Sequence, residues 1–157
     1  MDKPHDKKFD TGLVWLRRDL RAHDNAALYH ALRACRQVHC VFVLDTDILE
    51  PLPRADRRVE FILGALDGLD AALRGLAGRA EAGLIVRHGS ARQEIPALAH
   101  ALHAQAVFAN HDDEPFALAR DARVRGDLAH MGIVLLTSKD HVVFERAEVM
   151  TQAGTPY

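Results

Sequence analysis

Five short apolar runs punctuate the chain, at residues 12–16, 38–44, 84–87, 106–109 and 133–136. Most are continuously apolar, the pattern of strands covered on both faces. Between them, apolar residues step by three and four. After Arg57, the residues Val59, Ile62, Leu66, Leu69, Leu73 and Leu76 fall into one helical stripe. Docked on a sheet, such a stripe contributes on the order of 10 kcal/mol as an upper bound. The first helix starts near Asp24 or Asn25, both good N-caps, and is expected to bury Leu28 and Leu32. The last helix has Pro115 in its first turn and runs toward Met131, where Gly132 can end it. The helix between them carries contradictory signals. Ser90 and Gln93 fit a capping box, yet Pro96 then falls six positions in and removes a backbone bond. Either that helix starts later, near Glu94, or it bends. The regular alternation of strand and helix predicts βα repeats around a parallel sheet.

Composition narrows this reading. The 157 residues suit one domain, able to bury about 68–70% of its unfolded surface. With 48% apolar and 27% charged residues, the chain is an ordinary globular one. A net charge of −2 argues against a nucleic-acid groove in this segment by itself. The two cysteines, Cys35 late in the first predicted helix and Cys40 in the second strand, make no disulfide framework. They suit a reducing, cytoplasmic setting. Residues 1–10 are polar, lack the apolar core of a secretory signal and read as a disordered tail before a domain at 11–140. No apolar run approaches the roughly 18 residues of a membrane span.

Candidate chemistry collects after the strands. Right-handed crossovers bring all strand C-termini to one sheet edge, where ligands of open α/β sheets bind. That edge receives Arg17-Arg18-Asp19, Asp45-Thr46-Asp47, His88-Gly89-Ser90, residues 110–114 and residues 137–140. Charge density singles out the first and fourth sets. Neither a Gly-x-Gly-x-x-Gly loop nor a Walker loop is present, so a stand-alone nucleotide-binding module lacks its usual phosphate cradle. His100 and His103 have helical metal-ligand spacing but no third ligand nearby, and no metal site is assigned. Asp112, Asp113 and Glu114 fit an acid/base cluster, a cation site or a cap at the helix start.

The string from Trp15 to Asn25, Trp-Leu-Arg-Arg-Asp-Leu-Arg-Ala-His-Asp-Asn, resembles the opening signature of the DNA photolyase and cryptochrome family. Four later segments resemble the same family in order and spacing. They are Val41-Phe42-Val43-Leu44-Asp45, then Arg58-Val59-Glu60-Phe61-Ile62-Leu63, then Asn110-x-Asp112-x-Glu114-Pro115-Phe116 followed by Arg120-Asp121, and finally Gly154-Thr155-Pro156-Tyr157. The resemblance implies a Rossmann-like three-layer sandwich with five parallel strands in the order 3-2-1-4-5. It also implies an N-terminal domain that binds a light-harvesting antenna chromophore. Residues 141–157 would then begin a linker to a C-terminal helical domain holding FAD and the groove for damaged DNA.

The implied parent is a photolyase. Its antenna passes excitation to reduced FAD, which donates an electron to a pyrimidine dimer, and the dimer splits and returns the electron. A cryptochrome-type blue-light receptor is the alternative. No residue of this chain is assigned a catalytic role. Deazaflavin-type members imply antenna contacts at Val43, Leu44, Arg58, Asp112 and Glu114, with Arg58 stabilising an anionic ring oxygen. Folate-type members use a histidine before the long helix and an Asn-Glu pair before the Arg-Asp. Those places here hold residues near Leu52 and Phe116-Ala117, a departure that speaks against folate and leaves a flavin antenna or an empty pocket open; Arg58, Asp112 and Glu114 standing together favour a deazaflavin-like antenna over folate or FMN. Arg17, Arg18, Asp19, Arg21, Asp24 and Asn25 are read as a network that fixes the first loop and contacts the further domain.

Overall fold

The computed structural model describes residues 6–140, so the first half of the expected tail and the whole expected linker, with Gly154 to Tyr157, lie outside the described residues. The elements are β1 (Phe9–Leu16), α1 (Ala26–Ala34), β2 (Cys35–Asp45), α2 (Thr46–Leu49), α3 (Arg57–Ala77), β3 (Ile85–Gly89), α4 (Ala91–Ala101), β4 (Ala106–Asn110), α5 (Pro115–His130) and β5 (Val134–Ser138). Every strand pair is parallel and the order is β3-β2-β1-β4-β5, as the resemblance implied.

Strand alternation divides the core in two. Leu13 and Trp15 of β1, Val41 and Val43 of β2 and Val107 and Ala109 of β4 face one layer, with Ile95, Leu98, Val124 and Leu128 of α4 and α5. Val14, Leu16, Cys40, Ala106 and Phe108 face the other, with Ala27, Leu28 and Ala31 of α1 and Leu69 and Leu73 of α3. The sheet is thus the middle of three layers, and the strand order reverses between β1 and its two neighbours.

Several local expectations are corrected. β1 begins at Phe9, which pairs with Cys35 and sets its ring edge-on to Phe108, so Phe9 and Asp10 are strand rather than tail. Cys35 opens β2 instead of closing α1. An added Cβ at Gly12 would lie 2.5 Å from its sulfur, so strand packing holds it there. The buried stripe of α1 runs through Ala27, Leu28 and Ala31, which rotates Leu32 to an exposed position. In α3 only Leu66, Leu69 and Leu73 are buried, and Leu76 is 61% exposed. Three of the six stripe residues are buried, so the burial of α3 contributes about half the expected figure.

The helix after β3 starts at Ala91, not near Glu94, and keeps Pro96 buried inside it. Ser90 does not cap it. The Ser90 hydroxyl donates to Asp47 Oδ2 at 2.8 Å, while Asp45 Oδ1 takes the Ala91 amide at 3.3 Å. Asn25 caps α1 as expected, accepting the Leu28 amide at 3.1 Å. Gly132, with φ +73°, follows the end of α5.

Candidate functional site

The loop after β1 closes on itself around a buried carboxylate. Asp19 accepts hydrogen bonds from the Arg17 amide at 2.9 Å, from Asn25 Nδ2 at 3.1 Å and from Asn110 Nδ2 at 2.7 Å. The first turn of α1 is then fully supplied. Ala26 N–H donates to Asp140 Oδ1 at 3.0 Å, Ala27 N–H to Asn110 Oδ1 at 2.9 Å and Leu28 N–H to Asn25. Arg21 pairs with Asp140 at 2.6 Å and also donates to the Asp24 carbonyl. No free amide of this turn is left to hold a phosphate. Asp19, Arg21, Asn25 and the Asp24 carbonyl thus knit together β1, α1, β4 and the segment after β5.

Arg17 and Arg18 diverge. Arg17 pairs with Asp121 at 2.5 Å, donates to the Asn110 carbonyl and lies 4.7 Å from the Trp15 ring centroid. Arg18 points along the sheet edge to both acids after β4, with Glu114 at 2.7 Å and Asp112 at 3.7 Å. The Glu114 hydrogen bond raises the Arg18 pKa above its ordinary value; partial burial opposes this, and the charges of Asp112 and Glu114 add to it.

Beside Arg18 a cavity of about 430 Å³ opens at the C-terminal ends of β1 and β2. Trp15, Phe42, Val43, Leu44, Ile48, Leu49, Ile62 and Phe116 give it apolar walls. Arg17, Arg18, Asp45, Asp112, Glu114 and Arg120 supply its polar groups. A mostly apolar concavity with a few convergent polar groups is the usual form of a small-molecule site. A more open groove of about 590 Å³ over Asn110 to Pro115 shares Arg17, Arg18, Asp112 and Glu114 with it.

Four of the five sequence-predicted binding residues, Val43, Leu44, Asp112 and Glu114, meet in this cavity, and Arg58 does not. Arg58 is 71% exposed and closes onto its own helix cap, donating to Asp56 at 2.5 to 3.1 Å. Those hydrogen bonds hold the Asp56 carboxyl down to about 2. The grouping of Arg58 with Asp112 and Glu114 is thereby corrected: Arg18 is the cation beside the two acids. Glu114 stands at the N-cap position of α5 without a side-chain cap bond, so capping does not consume it. Among the described residues, no group of three or more His, Cys, Asp or Glu is placed to hold a metal ion.

Two contributors carried no assigned role in the sequence. Asp45 and Arg120 are both buried, with Arg120 Nη1 and Asp45 Oδ2 4.0 Å apart. Arg120 also contacts Asp121 at 3.1 Å and lies 4.9 Å from the Trp15 ring centroid. The signal for Arg120 was present: it shares the buried stripe of α5 with Ala117, Val124 and Leu128. A charge at an apolar position is costly unless it is partnered.

The sequence profile of the DNA photolyase family matches residues 12–157. An uncharacterised 31.6 kDa protein of a Synechococcus species is 37% identical over 145 residues, covering 92% of this chain and 50% of that protein. A deoxyribodipyrimidine photo-lyase of Halobacterium salinarum is 37% identical over 154 residues, covering 92% of this chain and 31% of its own length. The solved archaeal photolyase of Sulfolobus tokodaii superposes with a TM-score of 0.79 at 28% identity, over 90% of this chain and 32% of that one. That protein holds two FAD molecules, with the implication of a novel light-harvesting cofactor. The chain spans half of the first of these relatives and about a third of the other two. With the profile matched over nearly its whole length and the sheet order reproduced, the chain belongs to the DNA photolyase family.

Proposed function

We propose that this chain is the light-harvesting domain of a DNA photolyase, and that its cavity takes a deazaflavin-like antenna chromophore. The observation that carries the reading is the cavity itself. Aromatic and aliphatic walls around about 430 Å³ meet the exposed Arg18 with Asp112 and Glu114, and the buried Asp45 and Arg120. Bound there, such a chromophore would absorb near-ultraviolet or blue light and pass the excitation on.

The protein's part is placement and electrostatics. Val43 and Leu44 lie where the β2 backbone reaches the cavity, and Phe42 and Phe116 flank the ring. Arg18 takes the role that the resemblance gave to Arg58, stabilising an anionic ring oxygen. Asp112 and Glu114 accept hydrogen bonds from the ligand's side chain. Within the whole protein, the partners are a FAD-binding domain and damaged DNA, and the activity is light-driven splitting of pyrimidine dimers. Two free, buried cysteines suit a cytoplasmic location. No helix among the described residues is long and apolar enough to cross a membrane.

The test is a fluorescence titration of the full chain with 8-hydroxy-5-deazariboflavin, FMN, FAD and a reduced folate. Tight binding of the deazaflavin is expected. Tight folate binding with indifference to the deazaflavin and both flavins overturns the antenna reading. A light-dependent dimer-repair assay on the whole protein separates the photolyase from a signalling cryptochrome.

A further inference from the structure

Among the described residues, two buried side-chain polar atoms lack a hydrogen-bond partner, Asp45 Oδ2 and Arg120 Nη2. Both residues are more than nine-tenths buried and both line the same cavity. Two of their other polar atoms are engaged. Asp45 Oδ1 takes the amides of Asp47 and Ala91 at 3.2 and 3.3 Å. Arg120 Nε holds Asp121, and its guanidinium packs near Trp15. The two side chains do not satisfy each other, since 4.0 Å is too long for a hydrogen bond. Buried polar groups in folded proteins are almost always partnered, and an orphaned pair inside a ligand-sized cavity marks what the occupant must supply.

We infer that Asp45 and Arg120 form a donor–acceptor pair that reads the lactam or imide edge of a planar heteroaromatic ligand. The ligand's ring N–H donates to Asp45 Oδ2, and its neighbouring C=O accepts from Arg120 Nη2. The two side chains are neighbours, with Arg120 Nη1 4.0 Å from Asp45 Oδ2, so an acceptor and a donor are presented together to a ring that carries N–H and C=O on adjacent atoms. The pair fixes which edge of the ring enters first and so orients the chromophore in the cavity. This inference rests on the antenna reading and adds the chemistry by which the site selects its ligand class.

The experiment titrates the full chain with 8-hydroxy-5-deazariboflavin and riboflavin, each beside its N3-methyl derivative, which lacks the donor. Methylation is expected to weaken binding of the accepted ring at least tenfold, the loss of a hydrogen bond to a charged group. The same titrations are run on Asp45→Asn, which keeps the cap at Oδ1 and turns Oδ2 into a donor. In that variant the parent ring should fall to the affinity of its methyl derivative, and the difference between them should vanish. A methyl group that merely clashed would keep the difference in both proteins, and that result overturns the inference. So does equal binding of parent and methyl compounds by the unaltered chain, which leaves the antenna site standing. Failure of all four compounds to bind overturns both.

Discussion

Asp19 shows how a single carboxylate can organise a loop. It is 2% exposed and receives three donors from three parts of the chain, the Arg17 amide and the side chains of Asn25 and Asn110. Removing it leaves those donors buried and unpaired, which is where large mutational losses originate. Asp19→Ala should lose about 3 kcal/mol of unfolding free energy in urea titration; a loss below about 1 kcal/mol would mean that solvent replaces the carboxylate. Cys40 makes the opposite kind of contribution. Burial pushes its thiol up to about 12 from an ordinary 9. Between those values the unfolded thiol has lost its proton and the folded one has not. The thiol's contribution to stability is therefore complete below pH 9 and is lost as pH rises toward 12. Comparing Cys40→Ala with the unaltered chain should show the stability difference shrinking over that range, and iodoacetamide should label native Cys40 poorly at pH 8.

At the scale of elements, the sheet was legible because its evidence is redundant. Buried parallel strands need continuous apolar runs, and each of the first four runs here is followed by a helical connection that must cross over in one hand. Strand ends and caps were less legible, since they depend on partners far along the chain. Ser90 has the sequence of a capping residue, yet Asp45 supplies the carboxylate from the neighbouring strand. Glycines separate the same way. Gly68 lies inside α3 with open space where a Cβ would be, so Gly68→Ala should stabilise by about 0.5–1 kcal/mol through helix propensity and a stiffer unfolded chain. Gly12 lies in β1, and a Cβ there would meet Cys35 Sγ at 2.5 Å and Phe108 at 3.2 Å. Gly12→Ala should destabilise by about 1–3 kcal/mol, as overpacked cores do. Thermal melting of both variants checks the pair, and a common sign would contradict the packing described.

At the scale of the molecule, the site was only half legible. Val43, Leu44, Asp112 and Glu114, which the family resemblance implied and which the fold delivers to the sheet edge, do meet. Arg58 does not, because a long exposed side chain pairs with whatever carboxylate is nearest, and Asp56 is two residues away. Arg18, read in the sequence as part of a loop network, takes that place because β1 and β4 are adjacent. A chromophore that binds only the folded state adds RT ln(1 + [L]/Kd), about 2.7 kcal/mol at a hundredfold excess over Kd. For a domain near this size that corresponds to roughly 5–10 °C in melting temperature. Arg18 is exposed, and its ion pairs contribute at most about 1 kcal/mol to the free protein. If the proposed antenna binding holds, Arg18→Ala should therefore melt close to the unaltered chain without ligand, yet lose most of the shift expected from 8-hydroxy-5-deazariboflavin. Retention of the full shift would assign the ligand's anionic oxygen to another cation; a large drop in the ligand-free melting temperature would make Arg18 a structural residue instead.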